Sequence, residues 1–244
     1  MFFFKCFYNI KKYFVNQIFC SKFYCQAFTL AEVLITLGII GVVAALTLPI
    51  LIQNHNEKAT VTKVQKMYSV LQNAYNLYLA EDNPVVSPEF SADGASTVAS
   101  WFIPYLNVAK DCGTTNEGEC VFYGLYKNKD GGNHNNFATD NHYYKILLND
   151  GSPLLFKGSG SSNVLGSIFY DVNGKNPPNQ FGYDLFTFRI QSDPNRVVPG
   201  GISELFYPFN SDCASINSSG YGCTIWLIQQ GNMKYLKYHN LTLN

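Results

Sequence analysis

Glu32 is the first residue whose placement asks for chemistry. It stands directly ahead of residues 33–52, twenty positions without a charged side chain, and a carboxylate beside lipid is costly unless a cation meets it. A second group lies far along the chain, in Asp171-Val-Asn173-Gly174-Lys-Asn-Pro-Pro-Asn179-Gln-Phe-Gly182-Tyr-Asp184. Closely spaced Asp and Asn oxygens, with glycines for sharp turns, suit calcium, a hard cation that takes about six to eight oxygen ligands. Asp171, Asn173 and Asp184 are the expected ligands. The loop is no EF-hand, since Gly174 comes too early and no glutamate closes it. The plain alternative is a turn at Asn173-Gly174 stiffened by Pro177-Pro178. A third group, His134, Asp140 and His142, fits no ligand template and is surrounded by Asn and Gly, which favours a solvated loop. The four histidines are scattered, and no nucleophile, base and orienting group fall together, so nothing points to an enzyme.

The elements that must hold these residues follow from periodicity. As a helix, residues 33–52 rise ~30 Å, the hydrocarbon thickness of a bilayer. Beyond them Val61, Val64, Tyr68, Leu71, Tyr75 and Tyr78 recur at spacings of three and four, one helical face, with Lys63, Lys66, Gln72 and Asn76 off it. That face is expected to pack on a folded head. A single helix from residue 28 to residue 80 would be ~80 Å long, and Pro84, after Glu81-Asp82-Asn83, stops it. Residues 84–96 read as a connector and 101–106 as a short helix. Strand-like runs occupy residues 121–126, 143–148, 154–156, 168–172, 184–190 and 224–228. Asn149-Asp150-Gly151 between two of them is a hairpin signal. The expected fold is α+β: a long N-terminal helix, transmembrane and then amphipathic, followed by a small antiparallel β-sheet head.

Phe28, Thr29, Leu30 and Glu32, set against the start of the apolar run, resemble the type IV prepilin signature. In that signature a leader peptidase cuts just before an aromatic residue followed by Thr-Leu, and the fifth mature residue is Glu. Gly41 within the span and Pro49 near its end agree with the pattern of type IV pilins and type II secretion pseudopilins. Ala27 departs from it, since Gly usually precedes the cut, although Ala is also small. The resemblance implies cleavage between Ala27 and Phe28 by the prepilin peptidase and N-methyltransferase, with methylation of the Phe28 amine. It implies that this cation pairs with Glu32 of a neighbouring subunit, and that the architecture is the pilin lollipop. An ordinary signal anchor is the rival, and it leaves Glu32 without a partner. A secretory signal peptide cut after the run is a poorer fit, because its apolar core would span only about 7 to 15 residues.

On that reading the chain divides into a leader, residues 1–27, a helix, residues 28–80, and a β-rich head, residues 81–244. The leader holds Lys5, Lys11, Lys12 and Lys22 and no acid, leaving 13 of the 17 basic residues against all 17 acids, a net charge of −4. Basic residues ahead of the span hold that end in the cytoplasm. The chain is therefore expected to cross the inner membrane once with its head outside, and then to enter a pilus or pseudopilus. An acidic exported part without a basic run does not suit nucleic acid. Cys6, Cys20 and Cys25 leave with the leader. Of the remainder, Cys112 with Cys120 and Cys213 with Cys223 read as local disulfides, although four cysteines allow three connectivities. Zinc is the rival there, but paired C-x-x-C knuckles are absent. The expected function is a structural subunit whose partners are the processing enzyme, the membrane and other pilin or pseudopilin subunits. The alternative is a membrane-anchored calcium-dependent binding protein or adhesin that does not polymerise.

Overall fold

The computed structural model describes residues 29–117, 119–202, 207–239 and 241–243. The leader and the expected cleavage point at Ala27 and Phe28 lie outside the described residues. The chain divides into two compact units, Met1–Pro49 and Ile50–Asn244, and the first helix, α1 (Leu30–Ala80), contributes to both.

In the first unit the large apolar side chains of α1, among them Leu34, Leu37, Ile40, Val42 and Leu46, are exposed. α1 is long and apolar enough to cross a membrane. Pro49 lies inside the helix, where its ring removes one donor from the ladder.

The second unit is built on a six-stranded antiparallel meander. Its strands are β1 (Val108–Gly113), β2 (Tyr144–Leu148), β3 (Pro153–Gly158), β4 (Val164–Asp171), β5 (Leu185–Ser192) and β6 (Asn195–Pro199), and each pairs with the next in sequence. The Asn149-Asp150-Gly151 signal makes the β2–β3 hairpin, with Gly151 at φ +82°, a backbone conformation glycine adopts without a Cβ penalty.

One sheet face packs on the apolar stripe of α1. Val61, Val64, Met67, Leu71, Ala74 and Tyr75 are buried against Leu154, Phe156, Ile168, Tyr170, Phe186 and Phe188. Polar side chains beside the stripe fasten it: Lys63 Nζ donates to the Val172 carbonyl at 2.8 Å and Gln72 Nε2 to the Val197 carbonyl at 2.6 Å. The connector after α1 is partly helical. α2 (Ala92–Ser100) starts at Ser91, whose hydroxyl accepts from the Gly94 N–H at 3.1 Å, and a 3-10 turn covers Ile103–Tyr105.

The opposite sheet face is covered too. Leu155, Phe169 and Leu185 pack on Val121, Tyr126, Phe137 and Tyr143 from the long segment between β1 and β2, and on Phe181 and Tyr221. Residues 121–126 form no strand, and within the expected solvated loop, residues 127–141, Asp130 to Asn133 are exposed while Phe137 and Ala138 are buried. An apolar outer face on β3 to β5 needs a lid, and the aromatic residues of this segment supply it. Because both faces are covered, β4 is buried along its whole length.

The run at residues 224–228 is also not a strand. A short helix α3 (Phe209–Asp212) and a 3-10 turn (Tyr221–Cys223) lead into α4 (Thr224–Gln230), which Gly231 ends in the left-handed conformation. The Ile225 N–H donates to the Gly200 carbonyl at 2.9 Å, so a donor of the first turn, unpaired within the helix, finds its partner across the fold. Cys112 is bonded to Cys120 and Cys213 to Cys223, the connectivity expected from the two close pairs.

Candidate functional site

Two places bring the singled-out residues into defined geometry. At the first, Thr29 precedes α1 and Glu32 lies in its first turn. Thr29 Oγ1 accepts from the Glu32 N–H at 3.2 Å, while Glu32 Oε2 accepts from the Thr29 N–H and the Thr29 hydroxyl, both at 2.9 Å. This reciprocal arrangement is a capping box, which satisfies donors that a helix start leaves unpaired. The acid therefore has a partner within its own chain, contrary to the expectation that an anchored monomer leaves it alone. Both bonds end on Oε2, and among the described residues no donor is bonded to Oε1. The box fixes the carboxylate and leaves one oxygen turned outward. Further along the lipid-length helix, a Cβ placed on Gly38 or Gly41 would meet nothing within 4 Å.

The second place is the segment between β4 and β5. Asp171 ends β4 and Asp184 precedes β5, and both are buried, at 0% and 3% exposure. Asp171 Oδ1 accepts from the Asn173 N–H at 3.2 Å and Oδ2 from the Tyr126 hydroxyl at 3.2 Å. Asp184 Oδ2 accepts from the Asn179 N–H at 2.8 Å and Oδ1 from the Gln180 N–H at 2.6 Å. The Asn173 side chain donates from Nδ2 to the Pro177 carbonyl at 3.1 Å, which closes the loop on itself. Burial, and then the negative charge of Asp184, push Asp171 up to about 8; burial likewise raises Asp184. Gly174, Asn179 and Gly182 all have positive φ, which lets thirteen residues fold back over the strand ends.

The structure thus gathers Asp171, Asn173 and Asp184, and adds Asn179, which the sequence reading passed over. Its signal was present: an Asn following Pro177-Pro178, where a turn in the left-handed region is well served by Asn. The third group does not gather. His142 Nδ1 lies 2.8 Å from Asp140 Oδ1, whereas His134 Nε2 lies 2.7 Å from the Tyr221 hydroxyl. Burial holds the His134 imidazole below its usual range. Among the described residues no three His, Cys, Asp or Glu side chains converge.

Residues 22–48 match the family model of the prokaryotic N-terminal methylation motif. The match takes in Ala27, Phe28, Glu32 and Gly41 and ends before the head. It is the prepilin motif of type IV pilins and pseudopilins. No curated protein and no solved structure matches the chain. The motif together with the apolar helix fits a membrane-anchored, pilin-like subunit.

Proposed function

We propose that the chain is a structural subunit of a type IV pilus or type II secretion pseudopilus. Prepilin peptidase cuts between Ala27 and Phe28 and methylates the new amine. The apolar half of α1 holds the subunit in the inner membrane with its head outside the cytoplasm, until the helix moves into a filament core with other pilin or pseudopilin subunits. The observation that carries this reading is an exposed apolar helix with one acid at its start, inside the matched methylation motif. Assembly keeps that surface away from water and brings a neighbour's N-terminal cation to Glu32. An uncompensated charge in such a core is strongly disfavoured, so docking selects the register in which the two meet.

The capping box favours a second reading, an anchored binding protein that never polymerises, because it gives Glu32 a purely local purpose. Two variants separate the readings. Glu32→Gln keeps a side chain able to close the box but drops the charge, whereas Thr29→Ala opens the box and keeps the charge. If the charge serves assembly, Glu32→Gln is inserted and cleaved, yet its filament yield falls about tenfold or more, while Thr29→Ala still assembles. The readout is sheared filament and subunit crosslinking, with cleavage followed by mass. Normal assembly of Glu32→Gln would leave the acid as a helix cap only and remove the basis of the filament reading.

A further inference from the structure

We infer that Arg189 and Lys157 form a binding site for a carboxylate carried on a ring, set among the aromatic side chains over the outer face of the sheet. This goes beyond the filament reading and stands independently of it. Lys157 on β3 lies opposite Ser167 on β4, and Ser167 lies opposite Arg189 on β5, so the three side chains form one row on one sheet face. Arg189 is buried, at 8% exposure, and one of its terminal nitrogens donates to the Ser167 hydroxyl. Its Nε–H is buried without a partner, and among the described residues neither Arg189 nor Lys157 makes an ion pair. A guanidinium carries five donors and stays charged. Burying it so poorly matched is costly unless an anion meets it.

The surroundings narrow the class of anion. The Lys157 ammonium lies 4.2 Å from the centre of the Phe90 ring and 5.6 Å from that of Tyr143, and the Arg189 guanidinium carbon lies 5.3 Å from Tyr207 and 5.9 Å from Tyr221. Tyr207 stacks on Tyr221 at 4.9 Å. Tyr207 and Phe90 are both exposed, so rings at the rim of the row reach solvent. Burial, and then the Arg189 charge, pull the Lys157 amine below its usual range, so the two cations act on one another. The charges of Asp140 and Asp212 reach them as well, but each acid is spent on other donors: Asp140 accepts from Asn135 and the His142 N–H, and Asp212 from Ser219 and the Gly222 N–H. Because these acids offset part of the positive charge, the row suits one negative charge better than the two of a phosphate. A planar carboxylate matches the guanidinium fork, and a ring attached to it finds aromatic faces on which to lie. An aromatic acid and a sugar acid share that chemistry.

The test uses the full chain in non-ionic detergent and two probes, 4-hydroxybenzoate for an aromatic acid and glucuronate for a sugar acid, against 4-hydroxybenzyl alcohol, glucose and inorganic phosphate. Calorimetric titration is expected to find one molecule of at least one acid per chain, bound about tenfold or more tightly than its neutral analogue or phosphate. The acid that binds more tightly assigns the source. A hundredfold excess over Kd should raise the melting temperature by about 5 to 10 °C. Arg189→Met removes the fork and should weaken binding about tenfold or more. Because Arg189 is buried, Lys157→Met, at the half-buried end of the row, and Tyr207→Ala, at its exposed rim, carry the same test with less risk to the fold, each weakening binding about three- to tenfold. No binding of either acid at millimolar concentration, equal binding of the neutral analogues or phosphate, or variants that bind as wild type does would overturn the inference. So would binding that appears only in Glu204→Gln, Glu204 standing three positions before Tyr207 in the chain, because the partner of the guanidinium would then be an acid of its own chain.

Discussion

A single buried lysine shows how the head answers to pH. Lys145, on β2, is fully buried, and its ammonium donates to the Thr114 carbonyl at 2.5 Å and the Asp140 carbonyl at 2.6 Å. Burial pulls it down to about 8, against the opposing pull of the Asp140 charge. Unfolded, the amine titrates near ~10.4. Between these values the unfolded chain holds a proton that the native head has released, so stability rises with pH across that window; below it both states are charged and the penalty is fully present. Buried tyrosines act oppositely, Tyr170 being pushed up to about 12 by burial, so the gain ends near pH ~10, where unfolded phenols begin to ionise. Urea unfolding of the full chain in detergent should show the rise from pH 8 to pH 10, and Lys145→Met should flatten it. A rise unchanged in the variant would assign it to other groups. None of this is visible in sequence, where Lys145 is a lone lysine in an otherwise apolar run. Thr29 and Glu32 are the reverse: three positions apart, they spell a capping box that needs no structure to read, though the apolar run behind them draws attention to the membrane instead.

Among the elements, those with long or regular patterns were legible. The α1 stripe and the β2–β3 turn are where periodicity and Asp-Gly place them. β1 and β6 were not legible, because each is a short edge strand carrying Lys110 and Asp111 or Asn195 and Arg196 at exposed positions, so neither shows a clean alternation. Residues 224–228 misread as a strand because four apolar residues in five fit a buried strand and a buried helix equally. What decides is tertiary: the Thr224 hydroxyl accepts from the Thr187 N–H at 3.0 Å, and Cys223 is bonded to Cys213. That bridge holds the start of α4 in place. Replacing both cysteines by alanine should cost about 2 to 4 kcal/mol, since the bond closes a short loop in the unfolded chain. Urea unfolding of the full chain measures the loss, and faster amide exchange at Ile225 and Leu227 should accompany it. An unchanged midpoint would mean that packing of Trp226 against Phe209, ring to ring at 5.0 Å, suffices alone.

For the whole molecule, the motif predicts the covalent form found in cells. Intact mass and N-terminal sequencing should give a chain beginning at N-methyl-Phe28 and carrying two disulfides; retention of Met1, or a cut near Ala45, would contradict processing as a prepilin. The meander has a further consequence on the proposed filament reading, in which heads sit at very high local density. A sheet of six strands in sequential order is open at both sides, and each open side offers unpaired backbone groups on which a neighbour could nucleate. Here β1 breaks register twice against β2 and shows Lys110 and Asp111 to solvent, while β6 spans five residues, exposes Arg196 and closes on Pro199. Bulges, charges and a missing donor are poor templates for another strand. If the chain assembles as proposed, heads crowded along a fibre would thus slide past one another without zippering into amyloid, and subunits held through their helices could be taken apart and returned to the bilayer.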